Sequence, residues 1–323
     1  MKALRLTVLI TALCLSLALP AGAAEKFPTK PLTLLVNFAG GGTVDTSSRI
    51  LAKNAEKYLG MPITIQNRPG GQATTAIIEL QNKKPDGYTI GVGTWNALTT
   101  LTHLMPLPYT AGDFDYIFGF GEFLYGIGVK ADSSIKSIAD IKQAAAAKGG
   151  QLSFSAAGYP HPITMFKLGE LLGVKFNHVS VKSSPEAYTQ VLGGHVDLIS
   201  ATLGDFLPLV KSGEIRLLAV CSPERLEMAP DTPTLVELGY NVTATSRMVL
   251  IAPKGVPADR MEILREAFRK AYDEPEFKAV MQRINMPTLY TDGPTTRKAF
   301  VDGEKTTGDD LKAMGLTGVS GQK

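Results

Sequence analysis

The run Asn37-Phe38-Ala39-Gly40-Gly41-Gly42-Thr43-Val44-Asp45-Thr46 carries residue types suited to one kind of chemistry, the binding of an anion by backbone N–H groups. It follows the apolar stretch Leu32-Thr33-Leu34-Leu35-Val36, which reads as a buried strand. It opens a helical pattern with apolar Ile50, Leu51, Ala55, Tyr58 and Leu59 and a stop at Gly60. Strand, glycine turn and helix start leave N–H groups free, and successive glycines let the main chain approach a ligand and adopt positive φ. No Lys follows in the GxxxxGK[ST] spacing, and the GxGxxG dinucleotide fingerprint is absent. Asp45 would repel a phosphate, while its charge suits the first turn of a helix. The expected guest is a small, weakly charged anion such as a carboxylate. The competing reading is a plain tight turn with Thr43 or Asp45 capping the helix.

Other chemistries lack their residues. The 4 histidines are scattered and HExxH is absent, so no metal site and no cofactor are expected. There is no GxSxG elbow, and no Ser-His-Asp triad assembles by chain order. Asp45, Asp205 and Glu122 have no spacing that places them together as an acid/base pair.

The N-terminus reads as a secretory signal. Lys2 and Arg5 form a basic start, and Leu6 to Leu19 is apolar but too short to span a bilayer. Pro20 breaks it, and Ala21-Gly22-Ala23, or Gly22-Ala23-Ala24, is the cleavage site. Leu13 before Cys14 argues against a lipoprotein signal, and cleavage leaves Cys221 with no partner for an internal disulfide. Removal of residues 1–24 takes away Lys2 and Arg5 and no acid, lowering the formal charge from +3 to +1. That balance leaves no electrostatic footprint for nucleic acid or an anionic membrane. About 300 mature residues are enough for two cores.

Strand-like and helical patterns alternate from residue 32 onwards, which predicts an α/β fold with a parallel sheet. Strands are expected at 62–66, 88–93, 123–129, 151–155, 177–181, 196–200, 216–221 and 243–252. Helices are expected at 73–83, 164–172, 185–192 and 206–211, from Ser137, and in a helical tail over 258–273, 275–285 and 295–314. Ligands of parallel α/β sheets sit outside the carboxyl ends of strands. Two lobes would therefore put a cleft between the turn at 40–46 and a second turn, Ala156-Ala157-Gly158.

Several motifs, in order, resemble the periplasmic solute-binding proteins of tripartite tricarboxylate transporters, also called Bug receptors. They are Phe27 to Leu34, Phe38 to Asp45, Gln66-Asn67-Arg68-Pro69-Gly70, Pro85-Asp86-Gly87-Tyr88-Thr89, Leu192-Gly193-Gly194-His195-Val196-Asp197-Leu198, Ala229-Pro230-Asp231-Thr232-Pro233-Thr234 and Leu250 to Pro257. The likeness covers nearly all of the mature chain. It implies a type II periplasmic-binding-protein fold, two lobes joined by two crossover strands, here near 124–130 and 244–252. Residues 25–124 and 252–323 would form one lobe, and 125–251, with the crossover strands, the other. It further implies a monomeric, non-enzymatic receptor that closes on a small carboxylate and delivers it to membrane subunits. One carboxylate would lie between two loops: Phe38, Ala39, Gly40, Gly41, Gly42, Thr43 and Asp45 in the first, Ala156, Ala157, Gly158, Tyr159 and His161 in the second.

The sequence departs from the family pattern at several points. Gly40 replaces a usual proline, and Tyr159-Pro160-His161 replaces small polar residues. Trp95-Asn96 stands where small residues are usual. Thr202 falls in Ser200-Ala201-Thr202, where many members carry an Asp that meets a ligand amino group; its absence argues against an amino-acid ligand. Arg247 replaces an aromatic wall and is placed to clamp a distal carboxylate, against the alternative of a hinge arginine paired with a nearby acid. Trp95 fits either a stacking wall or core packing, and His161 either a ligand donor or a solvent-facing loop histidine. Lys182 fits an anion-attracting or a solvated role. A dicarboxylate is the expected ligand, with an aromatic carboxylate as the other option. A sensor that presents its solute to a membrane kinase, and a secreted α/β enzyme, are the alternatives in other functional classes.

Overall fold

The structure is a computed structural model that describes residues 26–181 and 184–316. The signal segment and Lys182 lie outside the described residues.

The first unit runs β1 (Leu32–Val36), α1 (Thr43–Leu59), β2 (Ile63–Asn67), α2 (Thr75–Gln81) and β3 (Thr89–Thr94), then a π-helical turn (Asn96–Thr100) and α3 (Leu101–Leu104). β1 is apolar at Leu32, Leu34, Leu35 and Val36, as a strand covered on both faces must be, and it pairs in parallel with β2 and β3. α1 ends at Gly60, whose φ of 67° lets its N–H return to the Glu56 carbonyl.

The next strand is the axis of the molecule. β4 (Phe114–Lys130) runs unbroken for 17 residues. The second unit follows: α4 (Asp140–Ala146), β5 (Gln151–Ala156), α5 (His161–Leu172), β6 (Lys175–Ser180), α6 (Ser184–Leu192), β7 (Leu198–Thr202), α7 (Leu203–Lys211) and β8 (Ile215–Val220). The chain returns through β9 (Thr245–Pro253), α8 (Ala258–Asp273), α9 (Pro275–Arg283), β10 (Thr291–Asp292) and α10 (Gly293–Ala313).

β4 takes different partners along its length. From Phe114 to Leu124 it pairs with β9, with β10 on its other edge at Phe118 and Gly119; from Tyr125 it lies between β7 and β8. The first sheet is thus ordered β2-β1-β3-β9-β4-β10 and the second β6-β5-β7-β4-β8. α1, α8 and α9 cover one face of the first sheet, and α2 and α10 the other. α4 and α5 cover one face of the second, and α6 and α7 the other.

Strand direction locates the cleft. β9 is antiparallel to β3 and to β4, so β4 runs the same way as β1 and β3. Beyond Leu124 it is antiparallel to β7 and β8. The carboxyl ends of β1 and β3 therefore face the second lobe, and those of β5, β7 and β8 face back.

Two expectations need adjustment. The strand expected at 123–129 begins nine residues earlier, at Phe114. Gly119 and Gly121 dilute its apolar pattern because neighbours occupy their side-chain space, Thr291 at Gly119 and Met248 with Met281 at Gly121. Crossover strand β9, grouped with the second lobe from sequence, pairs along its whole length within the first sheet. It does so because its apolar residues Met248 to Ala252 complete the cores on both faces of that sheet.

α10 closes the first lobe over Trp95, the single tryptophan, and Gly303 is the point of closest approach. A Cβ there would overlap the indole, which is backed by Phe300 at 5.0 Å between ring centroids. Gly303→Ala should cost about 1–3 kcal/mol by overpacking, more than the helix propensity it gains. Chemical denaturation checks this: unchanged or raised stability would mean that the ring is not wedged there.

Candidate functional site

The glycine turn is held rigid from behind. Phe38 to Gly42 are exposed, and Gly41 has φ of 85°, a conformation that favours glycine. Asp45, 2% exposed, reaches back to the turn. Its Oδ2 accepts from the Gly41 N–H at 2.8 Å and from Arg49 Nε at 2.8 Å, while Oδ1 accepts from Asn67 Nδ2 at 2.8 Å. Asn67 Nδ2 also donates to the Phe38 carbonyl at 2.9 Å, and Arg49 Nη2 donates to Asn67 Oδ1 at 3.0 Å. Burial alone would raise the Asp45 pKa, but the hydrogen bonds from Arg49, the Gly41 N–H and Asn67 outweigh it and hold the carboxyl below its usual range. Asp45 is therefore corrected from a ligand-facing residue to the brace of the loop.

What remains free faces the cleft. Gly42 is the N-cap of α1 and has no side chain to cap it. The N-terminus of α5, after β5, has Pro160 as N-cap and no side-chain cap; that of α7, after β7, has Thr202 and none. Uncapped starts occur elsewhere, as at Pro257 before α8, so the informative fact is convergence. Three such ends lie at the carboxyl ends of strands that face one another, each presenting unsatisfied N–H groups and a partial positive charge. Thr43 from the first lobe and Thr202, Leu203 and Gly204 from the second line one cavity of about 60 Å³, with Glu122, Phe123 and Leu124 of β4 between them. A larger groove of about 910 Å³ adjoins it, sharing Glu122, Leu124, Met228, Asn285 and Met286, and runs between residues 222–228 and a wall of Lys278, Met281 and 285–288; neither turn contributes to it.

The second turn is built as expected from β5, but His161 is not a solvent-facing loop residue. Ala156 is buried and its carbonyl is 3.2 Å from His178 Nε2; Ala157 is half-buried, Gly158 has φ of 69°, and Tyr159 is half-buried. His161 is the first residue of α5 and is 5% exposed. Its Nδ1 lies 3.0 Å from Ser200 Oγ, and its ring meets Tyr125 edge-on at 4.6 Å. Burial, with a smaller contribution from His178, pushes its pKa down to about 3, so the imidazole is neutral.

Three further expected residues have other commitments. Trp95 is half-buried against Phe300 and Gly303, which makes it a packing residue rather than a cleft wall. Asn96 starts the π-helical turn, with its Oδ1 buried and lacking a partner among the described residues. Arg247 stands opposite Glu122 in the β9/β4 register, with Nε 3.8 Å from Oε1, so the expected alternative of a paired hinge arginine is what the contacts show. Asn67 and Arg49, which hold the first loop, were not singled out as site residues. The only sequence signal for Asn67 was its place in the Asn-Arg-Pro-Gly motif, and for Arg49 its spacing of four from Asp45.

Two lobes, a hinge strand shared by both sheets, and helix N-termini meeting across a cleft define a two-lobe solute-binding protein. A family model described as the tripartite tricarboxylate transporter family receptor matches residues 47–316, and the chain belongs to that family. A Cupriavidus necator relative, described as the UPF0065 protein in the gbd 5′ region, is 34% identical over 283 residues, covering 84% of each chain. Among solved structures, MatC from Rhodopseudomonas palustris with bound malate is 23% identical, with a TM-score of 0.73 over 88% of this chain and 100% of that one. A second R. palustris protein, solved with adipate, is 23% identical, with a TM-score of 0.76 over 90% of this chain and 99% of that one. The family is one of solute receptors, not enzymes.

The buried, neutral His161 has a consequence for acid stability. The unfolded chain takes up a proton at this residue near its ordinary pKa of 6.5, the folded chain only at about 3. Folding stability is therefore complete above that upper value and falls by up to about 1.4 kcal/mol per pH unit as pH drops through the window. His161→Gln should flatten the pH profile of urea-denaturation stability in that window. Parallel profiles for the two proteins would mean that folded His161 takes up its proton at the same pH as in the unfolded chain.

Proposed function

We propose that this chain is an exported, monomeric receptor that closes its two lobes on one small organic carboxylate, a dicarboxylate in preference. It would deliver the ligand to the membrane subunits of a tripartite transporter. The observation that carries this reading is that three uncapped helix N-termini lie at facing strand ends, with those of α1 and α7 lining one cavity and that of α1 in a loop already braced by Asp45. A preorganised set of N–H groups loses little entropy on binding and suits a carboxylate oxygen. Bound malate and adipate in structurally similar proteins agree with a dicarboxylate. Export follows from the basic, apolar and A-x-A pattern of residues 1–24, and no helix among the described residues is long and apolar enough to cross a membrane.

In this reading the N–H groups of Gly40, Gly42, Thr43 and Val44, with those at the start of α5, hold one carboxylate. Phe38, Ala39, Tyr159 and Thr202 border it. Arg247 takes the distal carboxylate by turning from Glu122, an exchange of one carboxylate partner for another. The 3.8 Å separation of that pair, longer than a direct hydrogen bond, makes the exchange inexpensive.

Thermal unfolding with malate, adipate and hexanoate tests the proposal. A true ligand at about 100 times its Kd adds roughly 2.7 kcal/mol of stability. Adipate or malate should raise the midpoint, and Arg247→Ala should weaken adipate more than hexanoate, which has the same carbon count and one carboxylate. No shift with any carboxylate contradicts the reading, and equal losses on both acids remove Arg247 from it.

A further inference from the structure

Lys167 and Asp310 belong to different lobes and meet across the cleft. Lys167 is on α5, whose Met165, Leu168 and Leu172 are embedded in the second lobe's core. Asp310 is on α10, which is fixed to the first lobe through Phe300, packed on Trp95 and Tyr116, and through Glu304, whose carboxylate accepts the Ala111 N–H at 3.0 Å. Lys167 Nζ lies 2.5 Å from Asp310 Oδ2. On the opposite face of the sheets the lobes also touch, where Gly204 at the start of α7 backs onto the Asn285 carbonyl. The cores on either side of the Lys167–Asp310 pair are otherwise separate, joined through β4 and β9.

We propose that the Lys167–Asp310 pair is a latch that biases the lobes toward closure and so contributes to ligand affinity without touching the ligand. The inference rests on lobe closure as the capture step proposed above. Each charge is fixed to a rigid body, so the pair forms only when the bodies approach. Closure that forms the latch also brings the two turns together, so any free energy in the latch is shared with binding. The two side chains are 36% and 29% exposed, which keeps the pair accessible to salt and its effect modest. An ion pair of this kind changes an equilibrium by about 1.5- to 5-fold. The grip of the protein on its ligand would thus depend on ionic strength even for a ligand whose own contacts are backbone N–H groups.

The test is pulsed electron–electron distance measurement on the unliganded chain without residues 1–24, and so without Cys14, with spin labels at Lys84→Cys in the first lobe and Lys175→Cys in the second, both exposed positions. Cys221 is buried and does not compete for label. Lys167→Met, which keeps the aliphatic stem, and Asp310→Asn should each move the distribution toward longer distances. About 1 M salt, with a screening length near 3 Å, should do the same to the native pair but not to Lys167→Met. The swapped variant Lys167→Asp with Asp310→Lys should restore the native distribution. Adipate affinity should fall 1.5- to 5-fold in the single variants and recover in the swap. A native distribution already open and unmoved by either substitution overturns the latch. Failure of adipate to bind the native protein counts against the ligand reading alone, because the distances still decide the latch.

Discussion

One strand imposes the architecture. β4 supplies hydrogen bonds to both sheets, and its partners change between Leu124 and Tyr125. Neither lobe can complete its sheet without it, so the lobes cannot drift apart, yet little else ties them along that line. The direction of β4 also decides which strand ends face each other. Because it runs with β1 and β3 and against β7 and β8, the carboxyl ends of both sheets meet at the change of partners. Helices that follow those strands then point their N-termini into the gap, and the positive potential of the cleft is a by-product of topology.

On that frame, the chain converts a flexible glycine turn into a fixed one. Three glycines in sequence would leave a loop with high entropy to lose on binding. Asp45 removes that freedom by accepting from Gly41, Arg49 and Asn67 at once. Its negative charge, unhelpful to an anion at close range, is neutralised by Arg49 and turned away from the cleft. The brace and the proposed anion site are thus separate groups on one turn of helix. Across the cleft His161 has a comparable supporting part, buried between Ser200 and Tyr125 at the point where β4 enters the second lobe.

Much of this was legible in the sequence because local signals agreed with tertiary demands. β1 was expected at its observed residues, and α8 likewise, since an apolar run and an amphipathic run are each bounded by clear breakers. The glycine turn was legible as the link between a buried strand and a helix start through its flanking elements. The helix over Asn96 to Leu104 was missed, since its residues carry no strong period, and so was the first half of β4, where Gly119 and Gly121 make room for Thr291 and Met248. Side-chain direction was the least legible level. Asp45, Trp95 and His161 lie at the right places in the chain but point into packing or bracing contacts, because neighbours distant in sequence, namely Asn67, Gly303 and Ser200, decide their environment. Spacing along one segment says nothing about those neighbours.

The central claim is that one carboxylate is held by backbone N–H groups from both lobes at once. Amide chemical shifts during a titration with adipate measure this most directly. The account predicts coordinated downfield movement of the amide protons of Gly40, Gly42, Thr43 and Val44 together with those of Gly158 and residues 161–163 that carry an N–H, saturating at a single affinity, while Gly41, already bonded to Asp45, moves little. Shifts confined to one lobe, or centred on the groove between residues 222–228 and 285–288, would contradict it.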